Sequence, residues 1–218
     1  MSKEKKLPIL VSPKGPAAYA WLAKKDTKYS KEGVYKVTLV LDRDDMDEGR
    51  VNYGKEALPG RDWVKHVLHM CKEAGASTEF SAPGCPIKDG NKMVHHETGV
   101  PKPEFANKLL IPFKSAYKPA LIDTKGNELP SQIPVFSGDI VKIAMQPVAR
   151  TVKGVTYMSL YLSKVMLVEK KTGGSGDVSM FGEEDGFSVS DKDASGTADD
   201  ADFGDTSGVD VTSDDIDF

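Results

Sequence analysis

The sequence predicts a mainly β protein, best described as a five-stranded Greek-key barrel of the OB type with one helix, long loops and a separate acidic C-terminal tail. Three observations lead to this fold class. Several stretches alternate apolar and polar residues, which is typical of half-buried strands. Only one stretch has the helical spacing of apolar residues. The connections between the last strands are short enough for hairpins, and small Greek-key barrels often carry a single helix.

Two strands are predicted in the N-terminal part of the chain, at residues 17–23 and 35–41. In the second strand, Lys36 and Thr38 share one face. The opposite face is apolar and consists of Tyr35, Val37, Leu39 and Leu41. A half-buried strand has this alternation, so this segment is expected to border the core on one side only. In the first strand, Tyr19 and Trp21 share a face that is equally compatible with the core.

One helix is predicted after a charged loop at residues 42–60. Its apolar residues recur at the 3.6-residue period: Trp63, Val64, Val67, Leu68 and Cys71. Lys72, Glu73 and Gly75 fit its C-terminal end. Residues 75–105 are rich in Pro and Gly, and we expect a long loop region with short strands, a type of segment that is often functional.

Four strands are predicted in the C-terminal half, at residues 109–114, 120–122, 139–150 and 155–168, the last two joined as a hairpin around residues 151–154. In the last strand the predicted core face consists of Met158, Leu160, Leu162 and Met166. Tyr157 and Tyr161 point to the opposite side.

Charge divides the chain near residue 172. Residues 172–218 contain fourteen Asp and Glu against one base, Lys192, whereas residues 1–171 contain 28 bases and 19 acids. The net charges are therefore −13 and +9. We predict a folded domain at residues 1–171 and a disordered acidic tail at residues 172–218. A basic body suits a polyanionic partner, and an acidic tail suits a competitor for it; a solubilising tail is the alternative.

Membrane and secreted classes are disfavoured. No apolar run approaches the ~20 residues that a membrane-spanning helix needs, and the apolar stretch at residues 7–11 is too short for a signal peptide. Cys71 and Cys85 lack the CxxC spacing of a zinc ribbon, and two cysteines do not indicate a disulfide framework. We expect a soluble intracellular protein.

Metal and catalytic sites are not predicted. Residues 42–48 hold a cluster of carboxylates: Asp42, Asp44, Asp45, Asp47 and Glu48. A calcium-binding EF-hand loop would need Gly in place of Asp47 and Glu in place of Tyr53, so a solvated loop is favoured. His66 and His69 lie three residues apart on the helix without partner ligands. No cofactor and no enzymatic activity are expected, although a Mg²⁺-dependent nuclease that uses the 42–48 carboxylates stays open as an alternative.

Aromatic residues interleaved with basic ones favour binding of single-stranded nucleic acid, because bases stack on rings for about 1–3 kcal/mol each while Lys and Arg follow the phosphates. The predicted phosphate contacts are Lys88, Lys92, Lys114, Lys118, Lys142, Arg150 and Lys153. The predicted stacking residues are Tyr117, Tyr157 and Tyr161. The alternative for the tyrosines is packing under a loop or in a homodimer interface. An RNA-binding or RNA-chaperone module of the same fold is the alternative function.

These segments resemble the single-stranded DNA-binding proteins of tailed bacteriophages, in particular those of short-tailed phage replication systems. The matching stretches are AYAWLAK at 18–24, GVYKVTL at 33–39, PIKDGN at 86–91, KPALID at 118–123, SGDIVK at 137–142 and VMLVE at 165–169. They span most of the body in the order of that family. The acidic tail that ends in Asp214, Asp215, Asp217 and Phe218 is the most specific element.

The resemblance implies an OB fold, non-sequence-specific binding of single-stranded DNA (ssDNA) and no catalysis. It also implies roles in phage DNA replication, recombination and repair in the cytoplasm of an infected bacterium. The tail would bind phage or host replication proteins, a polymerase or a primase-helicase, and would occupy the DNA groove when DNA is absent. One departure concerns residues 148–150, where well-known members carry an aromatic pair and this chain has Val148, Ala149 and Arg150. We therefore expect Tyr157 and Tyr161 to stack on bases in place of that aromatic pair.

Overall fold

The computed structural model describes residues 5–28 and 31–171, so the acidic tail lies outside the described residues. The strands are β1 (Lys5–Lys6), β2 (Leu10–Val11), β3 (Gly15–Asp26), β4 (Val34–Asp42), β5 (Gly49–Val51), β6 (Glu56–Leu58), β7 (Lys88–Asp89), β8 (Lys108–Ser115), β9 (Ala120–Ile122), β10 (Ile140–Val152) and β11 (Val155–Glu169). The helix α1 spans Gly60–Glu73, and short 3-10 turns span Gly90–Lys92 and Pro103–Phe105. None of the helices in the described part has the length and apolar character to span a membrane.

Five strands close into a ring. β3 pairs with β4, β4 with β8, β8 with β11, β11 with β10, and β10 returns to β3. All of these pairings are antiparallel except the contact of β8 with β11, which is parallel. A closed five-stranded ring in this order is a Greek-key barrel, and closure removes the exposed strand edges. The predicted OB-type fold is therefore confirmed.

Short strands extend the ring. The predicted strand at residues 120–122 is confirmed as β9, and β7 lies in the region expected to hold short strands, whereas β5 and β6 were not predicted. The loop predicted at residues 42–60 contains β5 and β6, which pair with each other, and β5 also pairs with β2. β7 adds to β8, and β9 lies parallel to β11. Strands of two or three residues are too short to show an alternation of their own, so tertiary pairing decides them.

A bulge corrects one predicted core position in β11. Three predicted core residues are buried: Met158, Leu160 and Leu162. Met166 instead lies opposite Lys142 on the outer face, and Val165 takes the inward position with 0% exposure. The cause is a register shift between Ala144 and Met145, because one extra residue on one strand reverses the alternation beyond it.

Helix α1 packs against the barrel through the predicted apolar face. Trp63 is 0% exposed, and the backbone of Gly49 approaches its ring so closely that a Cβ at residue 49 would overlap the indole. The helix ends before Gly75, which adopts a φ of 75° that an L residue with a side chain rarely adopts. The predicted helix is confirmed, three residues longer at its start than its first apolar residue suggested.

A second, smaller apolar cluster lies on the outside of the barrel. Val40 and Leu110 are paired across β4 and β8, and Phe105 packs on them. All three are at most 7% exposed. The segment that carries the 3-10 turns thus covers one half of the outer face of β4 and β8, which we call the covered half, defined by Val40, Leu110 and Phe105.

Candidate nucleic-acid interface

The other half of the same outer face borders an open groove of about 340 Å³. The outward side chains of β4, β8 and β11 form the floor of the groove, and residues 83–88 form its wall. The groove is lined by Lys36, Lys88, Lys114 and Tyr157 among others. Lys36 and Lys114 lie directly opposite each other in the β4–β8 pairing, so two ammonium groups stand on neighbouring strands of the floor. Three lysines and one tyrosine thus meet in one concave surface.

The wall formed by residues 83–88 is held in place by backbone contacts and by buried side chains. The carbonyl oxygen of Gly84 accepts a hydrogen bond of 2.9 Å from the N–H of Met158 in β11. Gly84 has a φ of 93°, and a Cβ at this position would overlap the carbonyl oxygen of Thr156. Cys85 and Ile87 are 3% and 0% exposed and anchor the segment in the core. The groove therefore has a wall whose position depends on a glycine.

Lys88 at the end of this wall is followed by a carboxylate that already has a partner. Its neighbour Asp89 receives hydrogen bonds from the guanidinium of Arg43 at 2.5 Å and from the N–H of Asn91 at 3.0 Å. Although burial acts to raise it, the pKa of Asp89 is lowered by these two hydrogen bonds and by the charge of Arg43. Asp89 is thus already paired with Arg43, and Lys88 contributes a positive charge to the groove.

Lys36 is positioned by a buried partner. Its ammonium group forms an ion pair with Asp26, which is 7% exposed, whereas the Lys36 side chain is 31% exposed. The hydrogen bond from Lys36 is the main reason that the pKa of Asp26 is lowered, followed by the hydrogen bond from the N–H of Lys28. Asp26 therefore holds the Lys36 side chain in a defined place at the groove floor.

Tyr157 lies opposite Arg150 in the hairpin of β10 and β11 and is 40% exposed. The hairpin turn consists of Lys153 and Gly154, which have φ values of 50° and 81°. Two residues with positive φ form the turn whose twist matches a two-residue hairpin. The predicted hairpin is confirmed, and it places the exposed side chains of Arg150 and Lys153 at the tip nearest to Tyr157.

A second cavity of about 420 Å³ is lined by Tyr117, Lys118, Tyr161 and Gln146 among others. Tyr161 is paired with Lys114 in the parallel contact of β11 with β8, so it lies next to the groove floor. Tyr117 is 83% exposed and its N–H donates to Ser115. The predicted outward direction of Tyr157 and Tyr161 is confirmed by their exposure and pairing.

Two predicted phosphate contacts, Lys92 and Lys142, are not among the residues that line the groove. Lys92 is in a 3-10 turn and its Nζ is 3.9 Å from Glu79. Lys142 lies opposite Met166, eight residues before Arg150 on β10 and hence about 27 Å from it along the strand. The predicted tail residues Asp214, Asp215, Asp217 and Phe218 lie outside the described residues.

Two residues of this surface were not included in the sequence prediction. The sequence alternation places Lys36 on the polar face of its strand. Its presence in the groove depends on the pairing of β4 with β8. Trp21 is 37% exposed and lies opposite Lys36. A bulge at Tyr19, whose φ is 51°, shifts the alternation in β3, so its local pattern could not decide between core and surface.

Three of the five carboxylates of residues 42–48 form ion pairs, each with a different base. The ion pairs are Asp44 with Arg61 at 3.7 Å, Asp47 with Lys14 at 3.2 Å and Glu48 with Arg50 at 3.0 Å. Within residues 5–28 and 31–171, no group of three or more His, Cys, Asp or Glu side chains is placed to hold a metal ion.

Both cysteines are free and buried. Burial raises the pKa of Cys71 to about 12, and the neighbouring Cys85 adds to the effect. Burial also raises the pKa of Cys85. Thiols of this kind are poor nucleophiles and metal ligands at neutral pH, so they belong to the core rather than to a site.

The ring order and the grooved outer face define an OB-type barrel with a basic surface. No family model matches the sequence. No curated protein matches it either. Solved structures do match: the C-terminally truncated ssDNA-binding protein from bacteriophage Enc34 has a TM-score of 0.55 and 18% identity, over 75% of this chain and 86% of that chain. The same protein in complex with ssDNA has a TM-score of 0.54 and 17% identity, over 75% and 87%.

The untruncated Enc34 protein has a TM-score of 0.53 and 17% identity, over 80% of this chain and 97% of that chain. At these identities the likeness concerns the fold. The resemblance to phage ssDNA-binding proteins that the sequence predicts is thus confirmed at the level of the fold, over about three quarters of the chain.

Proposed function

We propose that this protein binds ssDNA without sequence specificity and serves phage DNA replication, recombination and repair in the cytoplasm of the infected host. The groove lined by Lys36, Lys88, Lys114 and Tyr157 carries the proposal. OB folds bind oligonucleotides on the face of their second and third strands, and β4 and β8 hold these positions in the ring. The fold likeness to the Enc34 protein, which has also been solved in complex with ssDNA, supports it.

The mechanism combines charge and stacking. Ammonium groups of the groove neutralise phosphates and release counterions, while Tyr157 and Tyr161 offer exposed ring faces for bases. A duplex presents its bases stacked inside, so the rings contribute only to single-strand binding. The protein acts by binding, and no catalytic role is assigned to any residue.

A titration of fluorescent oligonucleotides tests the proposal. We expect the protein to prefer ssDNA over duplex. A plot of log affinity for ssDNA against log salt concentration should have a slope of about −0.7 per neutralised phosphate, and stacking should contribute a part of the affinity that high salt does not remove. Equal affinity for both forms at every salt concentration contradicts the proposal. A competition between ssDNA and ssRNA of the same sequence tests the RNA-binding alternative, because the 2′-OH is the distinguishing group.

The tail proposal follows from charge alone. A segment of net charge −13 tethered to a body of net charge +9 competes with DNA at a high local concentration. We propose that the end of the chain, with Asp214, Asp215, Asp217 and Phe218, additionally binds a polymerase or primase-helicase of phage or host. The ring of Phe218 would fill a pocket on the partner, and its neighbours would pair with basic residues around it.

Deletion of residues 172–218 separates these two roles from each other. It should tighten ssDNA binding at low salt, and the gain should disappear near 1 M salt, where the Debye length is about 3 Å. Phe218→Ala removes no side-chain charge, so it should leave DNA affinity nearly unchanged and weaken capture of a replication polymerase. A truncated chain that binds DNA no better than the full chain at low salt would leave the tail only a solubilising role.

A further inference from the structure

Three exposed aromatic residues lie on β3 and on the segment hydrogen-bonded to it. Tyr19, Trp21 and Phe136 are 41%, 37% and 57% exposed. Trp21 and Phe136 line one shallow cavity of about 200 Å³. The segment of Phe136 is bound to β3 by a hydrogen bond from the N–H of Ala20 to Ser137. We call this surface the aromatic strip, defined by Tyr19, Trp21 and Phe136.

Ammonium groups accompany the rings of the strip. Lys24 Nζ lies 5.8 Å from the centroid of the Trp21 ring. Lys102 Nζ lies 5.4 Å from the centroid of the Tyr19 ring and 2.9 Å from its hydroxyl oxygen. Lys170 lies 4.6 Å from the Phe136 ring but is paired with the buried Asp139, so its charge is compensated. Lys24 and Lys102 are the cations that a polyanion would meet here.

The strip is continuous with the groove through strand pairing. Trp21 lies opposite Lys36, Lys36 lies opposite Lys114, and Lys114 is paired with Tyr161. Residues that face each other across neighbouring strands share a face, so these four side chains form one row across the outer surface. The row crosses three strand spacings and is about 14 Å long. An aromatic residue stands at each end of the row. Of the two lysines in its middle, Lys36 is paired with Asp26, so Lys114 is the cation of the row that a phosphate would meet.

From this row we infer that a bound ssDNA strand continues out of the groove over the aromatic strip, with a base stacked on Trp21 and phosphates near Lys24 and Lys102. The inference rests on the proposed function and extends it by a second binding segment. Stacking with charge at alternating positions is what an extended single strand requires. Tyr19, two residues before Trp21 on β3, is 41% exposed and packs at an angle of 52° on Phe105 with ring centroids 6.1 Å apart.

The chain provides its own optical probe for this inference. Its two tryptophans are Trp21, 37% exposed, and Trp63, 0% exposed. A base that stacks on Trp21 should quench its fluorescence, whereas Trp63 is inaccessible to the strand. We therefore expect quenching of the intrinsic fluorescence of the full-length protein by unlabelled oligothymidine of about 16 nucleotides, a length within the range of one OB fold.

Variants of Trp21 test how much stacking on this residue contributes to the affinity for ssDNA. Trp21→Ala should weaken binding of the longer oligonucleotide by about 5- to 150-fold, the range that loss of one stacked base predicts. Binding of an oligonucleotide of about 4 nucleotides, which the groove alone can hold, should change little. Trp21→Phe keeps a ring and should restore most of the affinity for the longer strand. Circular dichroism of each variant checks folding, and the quenching of the wild-type protein does not depend on any variant.

The outcomes separate this inference from the proposed function. If the wild-type protein binds ssDNA without quenching and Trp21→Ala binds both lengths like wild type, the strip is not part of the path while the proposed function stands. If no ssDNA binds at all, both fail. If Trp21→Ala changes self-association in sedimentation velocity and leaves DNA binding unchanged, the strip is a contact with a second copy and the inference is overturned.

Discussion

The two halves of the outer face of β4 and β8 have the same backbone and opposite surfaces. In the covered half, Val40 and Leu110 are a cross-strand pair that is 5% and 2% exposed. Four residues along β4, Lys36 and Lys114 form the equivalent pair in the open groove. Both pairs point away from the barrel interior, so alternation and pairing are the same and only the side-chain types differ.

The difference shows how the position of the groove is decided. Burying apolar side chains outside the barrel releases about 25 cal/mol per Å² of apolar surface, which favours the covering segment over Val40 and Leu110. The same segment over Lys36 and Lys114 would remove from water the charge of Lys114, at a cost of several kcal/mol, and with it the ion pair of Lys36 with Asp26. The cover therefore stops where the lysines begin, and the site lies where the outer face stays polar.

The largest effect is expected in the covered half. Leu110→Ala should lower the free energy of unfolding by about 2–5 kcal/mol, because it leaves a cavity between Val40 and Phe105. Urea unfolding followed by circular dichroism measures it. The matched control is Lys114→Ala on the same strand and face, which should stay within about 0.5 kcal/mol of wild type. Similar values for the two variants would remove the distinction between the halves.

The second effect concerns the open groove. Tyr157→Ala should weaken ssDNA binding by about 1–3 kcal/mol without changing the salt slope, since stacking releases no counterions. Tyr161→Ala should act in the same way. Tyr157→Phe keeps the ring and serves as the control, which should bind like wild type. An unfolded Tyr157→Ala variant would instead show that this residue packs as part of the structure.

The third effect is electrostatic. Lys114→Ala should reduce the magnitude of the log–log salt slope by about 0.7, because one phosphate contact of a single strand is lost. Arg150→Ala should do the same if the strand passes the hairpin tip. Lys125→Ala, an exposed lysine in the turn after β9, provides the control and should leave the slope unchanged. A slope unaffected by Lys114→Ala would place the strand elsewhere.

The smallest effect is a pH dependence of stability through Asp26. Its pKa in the folded protein is lowered below the ordinary value of 3.8, chiefly by the hydrogen bond from Lys36. A lowered pKa stabilises the folded state fully above the unfolded value, and this contribution is lost as pH falls through the folded value. The stability difference between wild type and Asp26→Asn should therefore be constant near neutral pH and shrink below pH 3.8. A difference that persists at the acid end would contradict this role.

Much of the fold was predictable from short stretches of sequence. The long strands, the helix and the Lys153–Gly154 hairpin were located correctly, because alternation, helical period and turn residues act over a few neighbouring positions. The outward direction of Tyr157 and Tyr161 followed from the same alternation. The prediction of Met166 as a core residue was wrong, because a bulge depends on the partner strand rather than on the strand's own sequence.

The candidate site was predictable only in part. Sequence alone indicated basic and aromatic residues on outward faces and a charge division of +9 against −13. Only the tertiary structure could select which of them share a surface, because Lys36, Lys114 and Tyr161 are brought together by pairings between residues 78 and 47 positions apart. Neither the local pattern nor the composition of a segment shows which distant segment it pairs with. The residue types were thus determined locally, whereas ring closure, the bulge at Tyr19 and the covering segment decided where the groove lies.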